Sequence, residues 1–136
     1  RDGHDSLRRL SMKKLILLAA WYIGAVVLFP GAVLANKSAV SIEAPRTATA
    51  GSEVVITLTV THSANSFFHY TNWVRLDADG KTVGRWEYKK GDRPEAATFK
   101  KEIRVKVGAT MELIAEANCN LHGSAGATKA VIKVQE

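Results

Sequence analysis

From Ser52 onward, hydrophobic and polar side chains alternate with a period close to two. Val54, Ile56, Leu58 and Val60 are interleaved with Val55, Thr57, Thr59 and Thr61; Phe99, Ile103, Val105 and Val107 with Lys100, Glu102, Arg104 and Lys106; Met111, Leu113, Ala115 and Ala117 with Glu112 and Glu116. Side chains two apart share one face of an extended chain, so each run predicts a half-buried strand. Four more segments fit the same pattern: Val40 to Ala44, His69 to Leu76, Thr82 to Tyr88 and Thr128 to Val134. Between them lie turn formers, at Thr49-Ala50-Gly51-Ser52, Asp77-Ala78-Asp79-Gly80, Lys90-Gly91-Asp92-Arg93-Pro94 and Gly108-Ala109. Seven short strands at this spacing, with no helical stripe and no internal repeat, predict an all-β, immunoglobulin-like, seven-stranded β-sandwich.

The N-terminal third has a different character. Met12-Lys13-Lys14 is followed by an uncharged run from Leu15 to Ala35, which closes on the small-residue sequence Val33-Leu34-Ala35. A basic start, an apolar stretch and a small-residue ending are the parts of a cleavable signal peptide. The expected organisation is therefore upstream residues plus signal peptide over 1–35, with the start at Met12, and one β-sandwich domain over 36–136. An uncleaved N-terminal anchor is the alternative, since the run is long enough to cross a bilayer. Either way the domain is expected to be exported, with the periplasm as its compartment and the membrane involved only through this segment.

Composition narrows the function classes. The chain is 46% hydrophobic and 24% charged, as folded domains are, and its formal net charge is +6. Five basic residues precede the apolar run together with Asp2 and Asp5, which leaves about +3 for residues 36–136. With no dense Lys/Arg stripe interleaved with aromatics, a nucleic-acid partner is not expected. A single cysteine, Cys119, excludes an internal disulfide framework and any four-cysteine metal site.

The candidate chemistry sits in two short segments. Cys119-Asn120-Leu121-His122-Gly123 follows the last residues of a predicted strand, so a thiolate and an imidazole come from one loop, and Gly123 allows a tight bend behind them. That spacing alone is equally the spacing of a buried thiol and a surface histidine. The second segment runs from His62 to His69, from the end of one predicted strand to the start of the next, with Trp73 placed by strand parity to pack beneath His69. One cysteine and three histidines on two such loops make a metal site a sharper reading than four unrelated polar residues.

These elements resemble a known family. The Cys-Asn-x-His-Gly loop, the His-loop-His pair leading to an aromatic four residues later, and the turn Gly91-Asp92-Arg93-Pro94-Glu95-Ala96 look like the iron-binding domain of desulfoferrodoxin and superoxide reductase (neelaredoxin). That family holds a mononuclear non-haem iron with four equatorial histidines and an axial cysteine thiolate on an immunoglobulin-like sandwich. The resemblance implies Cys119 as the axial ligand and His62, His69 and His122 as three of the equatorial ones. The His62–His69 loop is one residue longer than the family's usual spacing, and Ser63 stands where a proline is common. The family's first histidine, preceded by a lysine, has no counterpart: the short alignment puts Lys37 at the lysine and Ser38 at the histidine.

The implied function is an exported superoxide-reductase-like oxidoreductase that turns superoxide into hydrogen peroxide, with Lys37 attracting the anion and organising proton delivery. Electrons would come from a separate donor protein or carrier, because there is no second cysteine cluster. Two other classes stay open: a metal-binding or electron-transfer module without turnover, for which copper or zinc would also suit three histidines and a cysteine, and a carrier or adaptor that works through Cys119. A homo-oligomer is compatible with each.

Overall fold

The computed structural model describes residues 36–135, and the expected signal sequence over 1–35 lies outside them. Eight strands follow in order: β1 (Ala39–Glu43), β2 (Thr47–Thr49), β3 (Ser52–Thr61), β4 (Thr71–Ala78), β5 (Lys81–Glu87), β6 (Thr98–Val107), β7 (Met111–Cys119) and β8 (Thr128–Gln135). They form a three-stranded sheet in the order β1-β3-β6 and a five-stranded sheet in the order β2-β8-β7-β4-β5. The immunoglobulin-like sandwich is thus present, with one strand more than the seven expected. The extra strand, β2, pairs parallel with β8, Thr47 opposite Lys133 and Thr49 opposite Gln135. Three residues are too few for alternation to show, and their partner is remote in sequence.

The alternation settles which side chains face inward. Val54, Ile56, Leu58 and Val60 of β3 and Leu113, Ala115 and Ala117 of β7 are buried between the sheets. Val74, Leu76, Phe99, Val107 and Ile132 complete the centre of the core. Among the described residues the buried core runs from Val40 to Ile132, so residues 36–136 carry a hydrophobic core of their own. The β4–β5 hairpin turns through Asp79 and Gly80, both at positive φ (47° and 78°), between the paired residues Ala78 and Lys81. Two consecutive left-handed residues match the right-handed strand twist, which is why Asp-Gly serves here.

Strand parity also decides where the chemistry goes. His62 continues the inward row of β3 and Cys119 the inward row of β7, one strand in each sheet. Both therefore point into the end of the space between the sheets, where the apolar rows run out.

Candidate metal centre

At that end, His62 is 6% exposed and Cys119 1%. The donor atoms of His62, His69 and Cys119 all lie within 4.8 Å of one another. Donors that share one ion sit at most about two bond lengths apart, roughly 4–4.6 Å for nitrogen and sulfur ligands, so small rotamer changes bring these three onto one ion. His122 stands beside them, its Nδ1 3.2 Å from His69 Nε2 and 3.9 Å from Cys119 Sγ. The three imidazoles meet edge to face, with centroids 4.7 Å apart for His62 and His69 and 4.9 Å for His69 and His122.

Local geometry explains how each ligand is aimed. Cys119 and Gly123 exchange backbone hydrogen bonds at 2.9 and 3.0 Å, closing a three-residue loop over Asn120-Leu121-His122. Gly123 takes φ 81°, a conformation that glycine adopts at no steric cost. The loop turns the Leu121 N–H towards Cys119 Sγ at 3.4 Å. Asn120 then ties this loop to the histidine segment: its Oδ1 accepts from the Tyr70 N–H at 2.9 Å and its Nδ2 donates to the Phe68 carbonyl at 2.9 Å, one on each side of His69. From the other side, Ala97 O accepts from the His62 N–H at 3.0 Å and Pro94 O from Asn65 Nδ2 at 2.6 Å. The Gly91–Ala96 turn thus buttresses the histidine loop.

Both ring nitrogens of His62 face backbone carbonyls. Its Nδ1 lies 2.7 Å from the Ala64 carbonyl and its Nε2 3.1 Å from the Asn36 carbonyl. When the ring is neutral, one nitrogen donates to a carbonyl and the other keeps a lone pair that a cation can take. At His69, burial and the neighbouring His62 ring push the pKa below the usual histidine value, outweighing the Asn36 carbonyl, which raises it. The neutral, ligating form is favoured.

The desulfoferrodoxin family model matches residues 33–125, more than half of the chain. The chain belongs to the desulfoferrodoxin family. Its fold is shared with the superoxide reductase (neelaredoxin) from Ignicoccus hospitalis, 23% identical over 78% of this chain and 89% of that one, with a TM-score of 0.64. A single-residue variant of that protein aligns at 24% identity over 75% and 84% of the two chains, with a TM-score of 0.62. A proposed superoxide reductase from Thermotoga maritima aligns at 23% identity over 72% and 86%, with a TM-score of 0.56. No curated protein sequence matches the chain.

Within this desulfoferrodoxin-family domain His62, His69 and Cys119 come together with His122 beside them, while the expected place of Trp73 changes. Trp73 does not lie beneath His69. An irregularity in the β4–β7 pairing between Thr71 and Trp73 shifts the parity, and the Trp73 ring sits on the outer face between the guanidinium groups of Arg75 and Arg85, 5.9 and 5.6 Å from its centroid. Ser38 does not stand in for an imidazole: it is fully buried, and its Oγ is 2.7 Å from Thr71 Oγ1. The segment after Asn36 is tied to the Cys119 loop: Ser38 N–H donates to Gly123 O and Ala125 N–H to Ser38 O, at 3.3 and 2.9 Å. Lys37 is half-buried at the same end, with no ion pair or side-chain hydrogen bond among the described residues.

Two contributors were not legible in the sequence reading. The Asn36 carbonyl owes its place to backbone position and leaves no mark in residue type. Asn120 was visible only as part of the Cys-Asn-x-His-Gly motif, with no sign that its amide spans both sides of His69. The burial of Cys119 also bears on the carrier class, since a thiol 1% exposed is poorly placed to bond a partner.

Proposed function

We propose that the domain holds one iron ion through His62, His69, His122 and Cys119 and reduces superoxide to hydrogen peroxide. The observation that carries this reading is the convergence of the His62, His69 and Cys119 donor atoms within 4.8 Å at the end of the core. When bound, ferrous iron supplies the single electron that, with two protons, converts superoxide into hydrogen peroxide.

The chain's own residues set the conditions for that chemistry. The Cys119 thiolate donates charge from a dry position, and the Leu121 N–H beside its sulfur tempers that donation. Ala64 fixes the His62 tautomer by accepting from Nδ1. The exposure of His122 leaves a side open to a small anion. Lys37, on the segment that runs past His62, attracts the anion and organises water for proton delivery. Reducing equivalents arrive from a separate donor, since Cys119 is the chain's one cysteine. The protein is exported by the sequence over 1–35 and works in the periplasm, cleaved after Ala35 or held by that segment.

One observation favours a second reading, a metal-binding or electron-transfer centre without turnover. The residue aligned with the family's first histidine is Ser38, whose hydroxyl is committed to Thr71. Copper or zinc would suit the remaining three nitrogens and one sulfur.

Elemental analysis of anaerobically purified protein, followed by exposure to pulse-generated superoxide, separates the two. Superoxide reductase activity predicts one iron per chain and one hydrogen peroxide per superoxide, without the oxygen that dismutation releases. A bound metal that leaves superoxide untouched sinks the enzymatic reading and leaves the second.

A further inference from the structure

We propose that the end of the sandwich carrying the His/Cys group is a docking surface for an anionic phospholipid bilayer. The inference concerns the loops around the centre and holds whichever metal the centre takes. Three large apolar side chains project from the two loops that supply the ligands: Phe67 (51% exposed), Phe68 (67%) and Leu121 (59%). Ser66 and His69 exchange backbone hydrogen bonds at 2.8 and 3.3 Å, so Phe67 and Phe68 form the tip of a tight turn. Their rings meet edge to face at 5.0 Å. The bond from Asn120 Nδ2 to the Phe68 carbonyl fixes this tip to the Leu121 loop, so the three side chains stand on one scaffold.

The surroundings are basic. Lys90 Nζ lies 5.6 and 5.4 Å from the Phe67 and Phe68 ring centroids. Lys89 and Arg93 belong to the same turn as Lys90, together with Asp92, and residues 62–70 and 120–127 contain no acidic residue at all. Exposed aromatics and a leucine within a basic rim suit the boundary between acyl chains and anionic headgroups.

The point where the chain enters selects a bilayer over a protein partner. Asn36 lies at this end, with its carbonyl 3.1 Å from His62 Nε2, and Ser38 is bonded to Gly123. The uncharged run from Leu15 to Ala35 immediately precedes it in sequence. An extended residue spans at most about 3.6 Å, so a chain leaving a membrane at Ala35 reaches the Cys119 loop within a few residues. If that run is held in a membrane, the loops that carry Phe67, Phe68 and Leu121 lie beside the residues that follow it in sequence.

The test uses residues 36–136, which carry a hydrophobic core of their own, mixed with vesicles of phosphatidylcholine alone or with one part phosphatidylglycerol to two of phosphatidylcholine. Expected is sedimentation with the anionic vesicles, weaker by at least about tenfold with the zwitterionic ones and reduced by added salt. Phe67→Ser with Phe68→Ser, and separately Lys90→Glu, each weaken binding by about tenfold, with circular dichroism and melting temperature unchanged because these side chains are exposed. Val131→Ser, 48% exposed on β8 outside these loops, binds like the parent. Sedimentation with neither vesicle overturns the proposal, as does undiminished binding by the double phenylalanine variant. Concentration-dependent dimerisation that the double variant abolishes, without vesicle binding, also overturns it and assigns the patch to a second copy of the chain.

Discussion

The side-chain oxygen of Asn120 accepts a hydrogen bond from the backbone N–H of Tyr70 at 2.9 Å, across 50 residues of sequence. With the matching bond from its Nδ2 to Phe68, one amide holds both sides of His69 against the loop that carries Cys119 and His122. Asn120→Ala leaves a donor and an acceptor without partners, and is expected to cost about 1–3 kcal/mol of stability. Because the ligand loops lose their tie, metal affinity falls by roughly 10–100-fold. Thermal melts and a metal titration of the same variant check both; an unchanged metal affinity would remove Asn120 from the positioning of His69.

Cys119→Ser replaces a thiolate with a harder and weaker donor in a position 1% exposed. The sandwich survives, with about 1–3 kcal/mol lost to the buried hydroxyl. The thiolate-to-iron charge-transfer band of the oxidised, iron-loaded protein disappears. Visible absorption spectroscopy decides this, and a retained band would mean that Cys119 is not a ligand.

Ser38→His does not complete the ligand set. The imidazole has to enter a fully buried position, and Thr71 Oγ1 loses its partner. Overpacking of about 1–3 kcal/mol adds to the lost hydrogen bond, and the melting temperature falls while metal affinity gains nothing. A variant that is as stable as the parent and binds iron more tightly would show that the segment from Asn36 can move to offer a fourth imidazole.

Lys37→Ala touches no ligand and no hydrogen bond among the described residues. Iron content and melting temperature are expected to stay the same while the superoxide reaction slows, more at low ionic strength than at high, as loss of electrostatic steering requires. Rates measured at two salt concentrations test this; an equal slowing at both would assign Lys37 a role other than steering.

Metal loading stabilises the fold, because an unfolded chain offers no assembled site. Ferrous ion at a hundred times its dissociation constant adds about 2.7 kcal/mol, a rise of roughly 10 °C in a domain of this size, reversed by a chelator. The same addition to His62→Ala produces a much smaller rise. Differential scanning calorimetry reads both, and equal rises would place the ion elsewhere.

Local alternation is enough to set the inward rows. Val54 to Val60 and Leu113 to Ala117 alternate strongly enough to set which face of β3 and β7 is buried, and stepping two residues further puts His62 and Cys119 on those same faces. Strand type and the candidate ligands were therefore legible, because period-two patterning is local and the candidates are rare residues on short loops. The pairings between distant segments come from the folded chain alone. β2 exists because Thr47 to Thr49 meets the end of β8; Trp73 leaves the site because the β4–β7 pairing is irregular beside it; Ser38 is spent on Thr71, 33 residues away. The Asn36 carbonyl and the Asn120 amide act through position in space. None of these leaves a periodic trace, since a contact between remote segments depends on how two sheets close on each other, and a local pattern of hydrophobicity carries no information about that closure.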